Sequence, residues 1–289
     1  MAILTIARLT LREASRRRLL LAVAILTVVV AVLSAWGFHR LLQLPCGPDY
    51  NPHPCSGSTL RVIAATLLIL LMFMFSFVLA LGAAFLGAPS IATEVESGVT
   101  LAILPRPIRR SDVVLGKWLG LSTVLALYAG ISCGLEFVIV KIALNYVPPH
   151  PILAIVFVVA EAIAVLSLTM LGSTRIPAMA CGIIVLVLFG MTWMGGIAGA
   201  VGAAFHSHAI ESIGTASSLL LPTDGLWRAA IYNLEPVSVI VVGGSVGREG
   251  SGNPFFVPSG PTMAYLLWAV GWIAAMLSLA AWSFKRRDL

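Results

Sequence analysis

Seven charged side chains fall between positions 94 and 117: Glu94, Glu96, Arg106, Arg109, Arg110, Asp112 and Lys117. The whole chain has 18 basic and 12 acidic residues, so this short segment is unusually rich in charge. Two further carboxylates, Glu136 and Glu161, and one ammonium, Lys141, sit inside long apolar runs. Catalytic uses of such groups need partners, and none is evident: no Ser/His/Asp or Cys/His nucleophile arrangement falls at the depth of Glu136 and Glu161. "GKW" at Gly116–Trp118 lacks both the hydroxyl residue and the preceding glycine of a phosphate loop, so the chain cannot cradle nucleotide phosphates in the usual way. His39, Cys46, His53 and Cys55 lie close together, but their irregular spacing matches no metal-ligand signature. What remains for the interior cluster is recognition by charge.

The elements that must carry these residues follow from composition. Hydrophobic residues make up 59% of the 289, charged residues 10%, and the mean hydropathy is +1.01. A water-soluble domain averages about half apolar and roughly a quarter charged, so lipid is the solvent of this chain. The net charge of +6 then speaks to orientation in the membrane rather than to nucleic acid. Backbone groups in hydrocarbon must be satisfied internally, which leaves helices or closed barrels. The long unbroken apolar runs exclude the alternating pattern of a barrel. The fold class expected is therefore an all-α integral membrane domain.

Six runs approach the ~20 residues a helical span needs: 19–38, 62–88, 118–144, 152–171, 178–205 and 263–284. Placing the N-terminus inside collects Arg8, Arg12, Arg16, Arg17, Arg18, Arg106, Arg109, Arg110, Lys117, Arg175, Lys285, Arg286 and Arg287 on one side, 13 of the 18 basic residues. Both termini are then cytoplasmic, in a multi-pass protein of the cell's inner or plasma membrane. "SRRRLL" at Ser15–Leu20 also has the look of an export signal. The apolar run after it is longer than a signal core, no small-residue cleavage site follows, and five more spans come later, so it reads as a retained span.

Residues 1–18 pattern as an amphipathic interfacial helix, with Ile3, Ile6, Ala7, Leu9 and Leu11 against Arg8, Arg12, Glu13 and Arg16. The outer loop "LPCGPDYNPHPC" holds four prolines and a glycine, which exclude a helix. Cys46 and Cys55 face an oxidising side in this topology and read as a disulfide, whereas Cys133 and Cys181 read as packing residues. Short outer helices are expected within "SHAIESIGTASSLL" and "TDGLWRAAIYNLE", before the sixth span. No internal repeat divides the chain, which reads as a single membrane domain over 1–289. The segment "ATEVESGVTLAIL" reads as a separate short helix on the inner surface, with its acids at the helix start, where they suit the dipole. Pro105 stops it, and Ser111 or Asp112 caps the helix that becomes the third span.

The pattern E-x-E-S-G-x-x-x-x-I-L-x-R-P-I-R-R-x-x-x-x-x-G-K, from Glu94 to Lys117, resembles the signature of type 2 ATP-binding-cassette (ABC) transporter permeases. Six spans, a basic amphipathic N-terminal helix and the "FKRRDL" terminus fit the same family. The resemblance implies a permease half that pairs with a second permease copy, or a related one, and with two cytosolic ATPase subunits. It implies no cofactor on this chain, with Mg-ATP held by the partner ATPase. It also implies that the segment between spans two and three supplies a coupling helix that docks on the ATPase. By position, Glu94, Glu96, Gly98, Leu101, Leu104, Arg106, Pro107, Arg110, Gly116 and Lys117 carry that role.

Glu136 and Glu161 keep three readings open: a structural pair with Lys141, a contact to substrate in the pathway, or a proton relay, which no accompanying acid–histidine chain supports. Two functions of different class compete. One is an exporter permease for an amphipathic, lipid-like, peptide or drug-like cargo. The other is a six-span intramembrane enzyme or assembly factor, including transport in metal maturation. The docking segment favours the first.

Overall fold

A computed structural model describes residues 2–15, 18–41, 43, 57–96, 109–235, 257 and 259–286. Among these residues the chain forms helices and no strand. They are α1 (Ala2–Ser15), α2 (Arg18–Leu41), α3 (Gly57–Glu96), α4 (Arg110–Leu144), α5 (Pro151–Ser173), α6 (Ala178–Ala204), α7 (His208–Leu220), α8 (Thr223–Leu234) and α9 (Met263–Lys285). Six of them, α2 to α6 and α9, are long and apolar enough to cross a bilayer, in the six runs where hydropathy placed spans. Cys46 and Cys55 lie outside the described residues. Cys133 and Cys181 are buried free thiols.

The centre of the bundle is α5, which packs against α3, α4, α6, α8 and α9. Lipid tails are as apolar as leucine, so association must come from close packing, and small residues permit it. A Cβ on Gly87 of α3 would lie 2.9 Å from Leu166 Cδ1, and one on Gly172 of α5 2.7 Å from Cys181 Sγ. The outward faces stay apolar: Leu21, Val32 and Trp36 on α2 and Leu267 and Val270 on α9 are exposed, as lipid-facing positions should be.

The bundle has a basic end, where α1, the end of α3, the start of α4 and the end of α9 converge, and a distal end opposite. At the basic end α1 does more than float in the headgroup layer. Ile3, Ile6, Ala7, Thr10 and Ala14 form a stripe at helical spacing, and part of it meets α4 across two glycines. A Cβ on Gly116 would fall 2.7 Å from Ile6 Cβ, and one on Gly120 2.7 Å from the Ala7 carbonyl. Leu4 and Leu9, on the other side of α1, remain exposed. The apolar residues of α1 thus divide between α4 and lipid.

The short helices expected before the sixth span are α7 and α8, and they fold back along the bundle. They form a re-entrant hairpin. α7 runs antiparallel to α6 on a glycine seam: a Cβ at Gly202 would sit 2.5 Å from Glu211 N, one at Gly199 3.0 Å from Gly214 Cα, and one at Gly195 2.3 Å from Ser217 Oγ. Ser217 Oγ donates to the Thr192 carbonyl at 3.4 Å. Thr192 lies twelve residues before the end of α6, so the tip reaches about 18 Å into the bundle at ~1.5 Å per residue. α8 then climbs back, and the His150 N–H donates to the Asn233 carbonyl at the distal end.

A tight turn at that depth needs partners for its carbonyls. The Leu226 N–H serves the Pro222 carbonyl at 3.2 Å within the hairpin, and two side chains of α9 add to this. The Trp272 indole N–H donates to the Leu220 carbonyl at 3.0 Å, and the Tyr265 hydroxyl to the Pro222 carbonyl at 3.1 Å.

At the distal mouth Glu235 is 2% exposed. The Val257 N–H donates to its Oε1 at 3.3 Å, while its Oε2 has no hydrogen-bond partner among the described residues. Burial pushes this carboxyl up to about 7, with the Val257 N–H pulling the other way. The folded state therefore holds a proton that the unfolded chain, with a value near 4.5, has released. Glu235 stabilises fully below that lower value, and its contribution is lost as pH rises towards 7, at up to ~1.4 kcal/mol per pH unit. Thermal melting in detergent should show stability falling from pH 5 to 7 in the native chain and a flatter profile in Glu235→Gln. Parallel profiles in the two would remove Glu235 as the cause.

Candidate functional site

The residues singled out between 94 and 117 divide three ways. Gly98, Leu101, Leu104, Arg106 and Pro107 lie outside the described residues. Glu94 and Glu96 are placed by backbone, and there the reading changes. They belong to the last turns of α3, which runs unbroken to Glu96, rather than to the start of a separate helix. The second apolar run simply continues in helical conformation, because "SIATEVE" holds no strong breaker before Gly98. At a helix C-terminus the dipole does not favour acids, so helix stability alone does not account for them.

Arg110, Gly116 and Lys117 are fully described, and each ties helices together. Arg110 opens α4, and its Nη1 donates to the carbonyls of Phe284 and Lys285 at 3.5 and 3.3 Å. Those are orphan acceptors at the end of α9, where a cation also suits the dipole. Arg175 helps at the same place: its Nε donates to Ser283 Oγ at 3.0 Å, and Ser283 and Thr174 share a hydrogen bond of 2.8 Å. Lys117 is 8% exposed and donates to the Ser90 carbonyl of α3. Gly116 seats α1. The start of α4 is thus bound to α9 through Arg110 and to α1 and α3 through Gly116 and Lys117, six and seven positions later. The expected cap is absent: Arg109 holds the N-cap position without a side-chain bond, and Ser111 Oγ instead lies 3.5 Å from Asp112 Oδ1.

Within the spans, Glu136 and Glu161 are 0% and 3% exposed. Each accepts a hydrogen bond from a serine on another helix, Ser34 of α2 to Glu136 and Ser76 of α3 to Glu161, both at 2.8 Å. The pairing with Lys141 does not form, since Lys141 points to the exposed side of α4. Each buried carboxylate therefore links neighbouring spans, a tether that lipid strengthens because the serine has no water to turn to.

The sequence reading passed over four residues: Asp224, Arg228, Tyr265 and Trp272. Arg228 Nε donates to Asp224 Oδ2 at 2.9 Å and its Nη2 to the Gly196 carbonyl at 2.6 Å. Asp224 packs where a Gly196 side chain would be, its Oδ1 2.0 Å from the Cβ position. The available signal was "MGGIAGAVGA" in the fifth span, whose glycines mark a face that admits another backbone.

The architecture is a bundle of six candidate membrane-spanning helices, and comparison with known proteins decides the family. The model of the family described as "ABC-2 family transporter protein" matches residues 4–289. The chain belongs to the ABC-2 transporter family. It is also 30% identical over 130 residues to a protein of Pseudomonas aeruginosa named "Probable ABC transporter permease protein NosY". That alignment covers 45% of this chain and 42% of the relative. The ABC-2 chain described here is accordingly a multi-pass transporter permease subunit. Membership implies an ATP-binding partner subunit, and permeases of this kind are not themselves enzymes.

Proposed function

We propose that this ABC-2 chain exports an amphipathic cargo as one half of a permease dimer, homomeric or with a related chain, coupled to two cytosolic ATPase subunits that carry Mg-ATP. The basic end faces the cytoplasm of a cell's inner or plasma membrane, and both termini lie there. The observation that carries the reading is the convergence at that end. Residues 97–108 connect α3 to α4, and Arg110, Gly116 and Lys117 lock the start of α4 to α9, α1 and α3. A push on that segment is therefore delivered to four helices at once. Glu94 and Glu96, unfavoured where they stand by their own helix dipole, are the charges offered to the ATPase. Glu136 and Glu161, as tethers between spans, are placed to register a change of helix packing along the pathway.

The test is charge reversal. Glu94→Lys should lower co-purification of the ATPase and uncouple hydrolysis from transport, because a docked charge facing a like charge costs several kcal/mol. Asp49→Lys, in the expected outer loop, should change stability by no more than ~0.5 kcal/mol and leave both activities intact. Equal retention of ATPase and transport by the two variants would refute docking at Glu94.

A further inference from the structure

Between α6, the α7–α8 hairpin and the start of α9 lies a cavity of about 490 Å³. Its ionisable lining is Glu211, Asp224 and Arg228, with Thr215, Ser218 and Tyr265 among the polar groups around them. Nothing in the packing of the spans requires a polar chamber here, and its donors and acceptors are arranged by sign.

Arg228 is the deep positive group. Of its five N–H donors, Nε is spent on Asp224 and one on Nη2 is spent on the Gly196 carbonyl. The remaining edge of a one-third exposed guanidinium is left to the chamber, and it is the fork that fits phosphate oxygens. Glu211 is the negative group nearer the distal end, half exposed, with its Oε2 3.8 Å from Nδ1 of the exposed His208. Its backbone packs on Gly202, whereas Arg228 reaches Gly196, six residues and about 9 Å deeper along α6. Between them the hydroxyls present only acceptors. Thr215 Oγ1 donates back to the Glu211 carbonyl and Ser218 Oγ to the Thr215 carbonyl, so both spend their hydrogens inside α7 and turn lone pairs outward.

The charges sum to minus one. A simple anion would meet two carboxylates, and a simple cation would meet the guanidinium. A group bearing both signs meets neither penalty. We propose that this chamber binds a phosphate–ammonium zwitterion of the phosphoethanolamine class, phosphate on Arg228 and ammonium on Glu211 and the Thr215 and Ser218 oxygens. The order, phosphate deeper and ammonium nearer water, is that of a phospholipid headgroup in the distal leaflet. α7, one wall of the chamber, carries Ile213 and Leu219 exposed, apolar residues suited to contact with that leaflet. The site needs neither nucleotide nor a second copy, so it stands or falls apart from the transport reading.

The test uses the full chain in nanodiscs of equal phosphatidylethanolamine, phosphatidylcholine and phosphatidylglycerol, with retained lipid counted by native mass spectrometry. Phosphatidylethanolamine should be enriched at least about fivefold over both others: choline has no N–H to give the acceptors, and phosphatidylglycerol has no cation for Glu211. Glu211→Gln should bring the preference over phosphatidylglycerol close to one. Arg228→Lys keeps a cation against Asp224 and should lower retention of all three. Thr215→Val, which leaves the ion pair untouched, should weaken the preference over phosphatidylcholine and guards against misfolding of the charge variants. Soluble glycerophosphoethanolamine distinguishes the source. Displacement of the lipid shows that the headgroup alone suffices, and persistent enrichment without displacement assigns the membrane lipid. Equal retention of the three lipids by the native chain, or unchanged selectivity in Glu211→Gln, overturns the proposal.

Discussion

Gly214→Leu should unseat the re-entrant hairpin. At this position the two backbones nearly touch, with a Cβ placed 2.6 Å from Gly199 Cα and 3.1 Å from the Gly195 carbonyl. A flexible side chain can yield a few tenths of an ångström, but backbone on both sides cannot. Overpacking usually costs 1–3 kcal/mol and occasionally more, and this contact belongs at ~3 kcal/mol or above. The loss should appear as faster hydrogen exchange over 208–234 and lower thermal stability. Gly134→Leu is the control, since nothing lies within 4 Å of its Cβ and leaving glycine gains ~1 kcal/mol of helix propensity. Equal melting of the two variants would mean that the glycine seam does not hold the hairpin.

Gly120→Leu should lift α1 from the bundle while sparing the spans. Its Cβ would lie 2.7 Å from the Ala7 carbonyl and 2.9 Å from Thr10 Cβ, in a helix of only 14 residues. So short a helix is marginal alone in water and relies on packing. Arg8 and Arg12 are already exposed, but once lifted the helix should unwind around them and open its backbone to trypsin, with cleavage at least about tenfold faster than in the native chain. The melting of the spans should move by less than ~1 kcal/mol equivalent, because α1 covers α4 from outside. Unchanged cleavage at both arginines would show that α1 does not depend on this seam.

These two glycine seams mark where sequence reading stopped. Hydropathy located all six spans because the free energy of burying apolar residues in lipid accumulates over some twenty positions and tolerates local exceptions. The helix over Ala2–Ser15 was legible from its 3.6-residue period, but its seat on Gly116 and Gly120 of α4 was not. The hairpin was not. "SIGTASSLL" and "TDGLWRAAI" are too short and too polar to register as membrane segments. Their depth is set by tertiary partners, namely the glycine face of α6 and the Tyr265 and Trp272 donors. The extent of α3 was misjudged because charge was read as a boundary, whereas Glu94 and Glu96 extend an uninterrupted helix. Lys117 and Gly116 were assigned outward roles from their place in a motif, and both face inward. Lys141 was matched to carboxylates by sign, when Ser34 and Ser76 were the partners within reach.

The dependence of the hairpin tip on α9 fixes an order of assembly. The ribosome delivers α7 and α8 before α9, yet the Leu220 carbonyl finds its donor on Trp272, while Tyr265 adds a second donor to the Pro222 carbonyl that the Leu226 N–H already serves. Until the last span has entered the bilayer, a descended hairpin would hold the Leu220 carbonyl bare in hydrocarbon, at a cost of several kcal/mol. The hairpin must therefore wait near the surface while the remainder of the chain is synthesised, and its descent is a late, post-insertion step of biogenesis. A chain that has closed its hairpin has thereby registered that its final helix is in place.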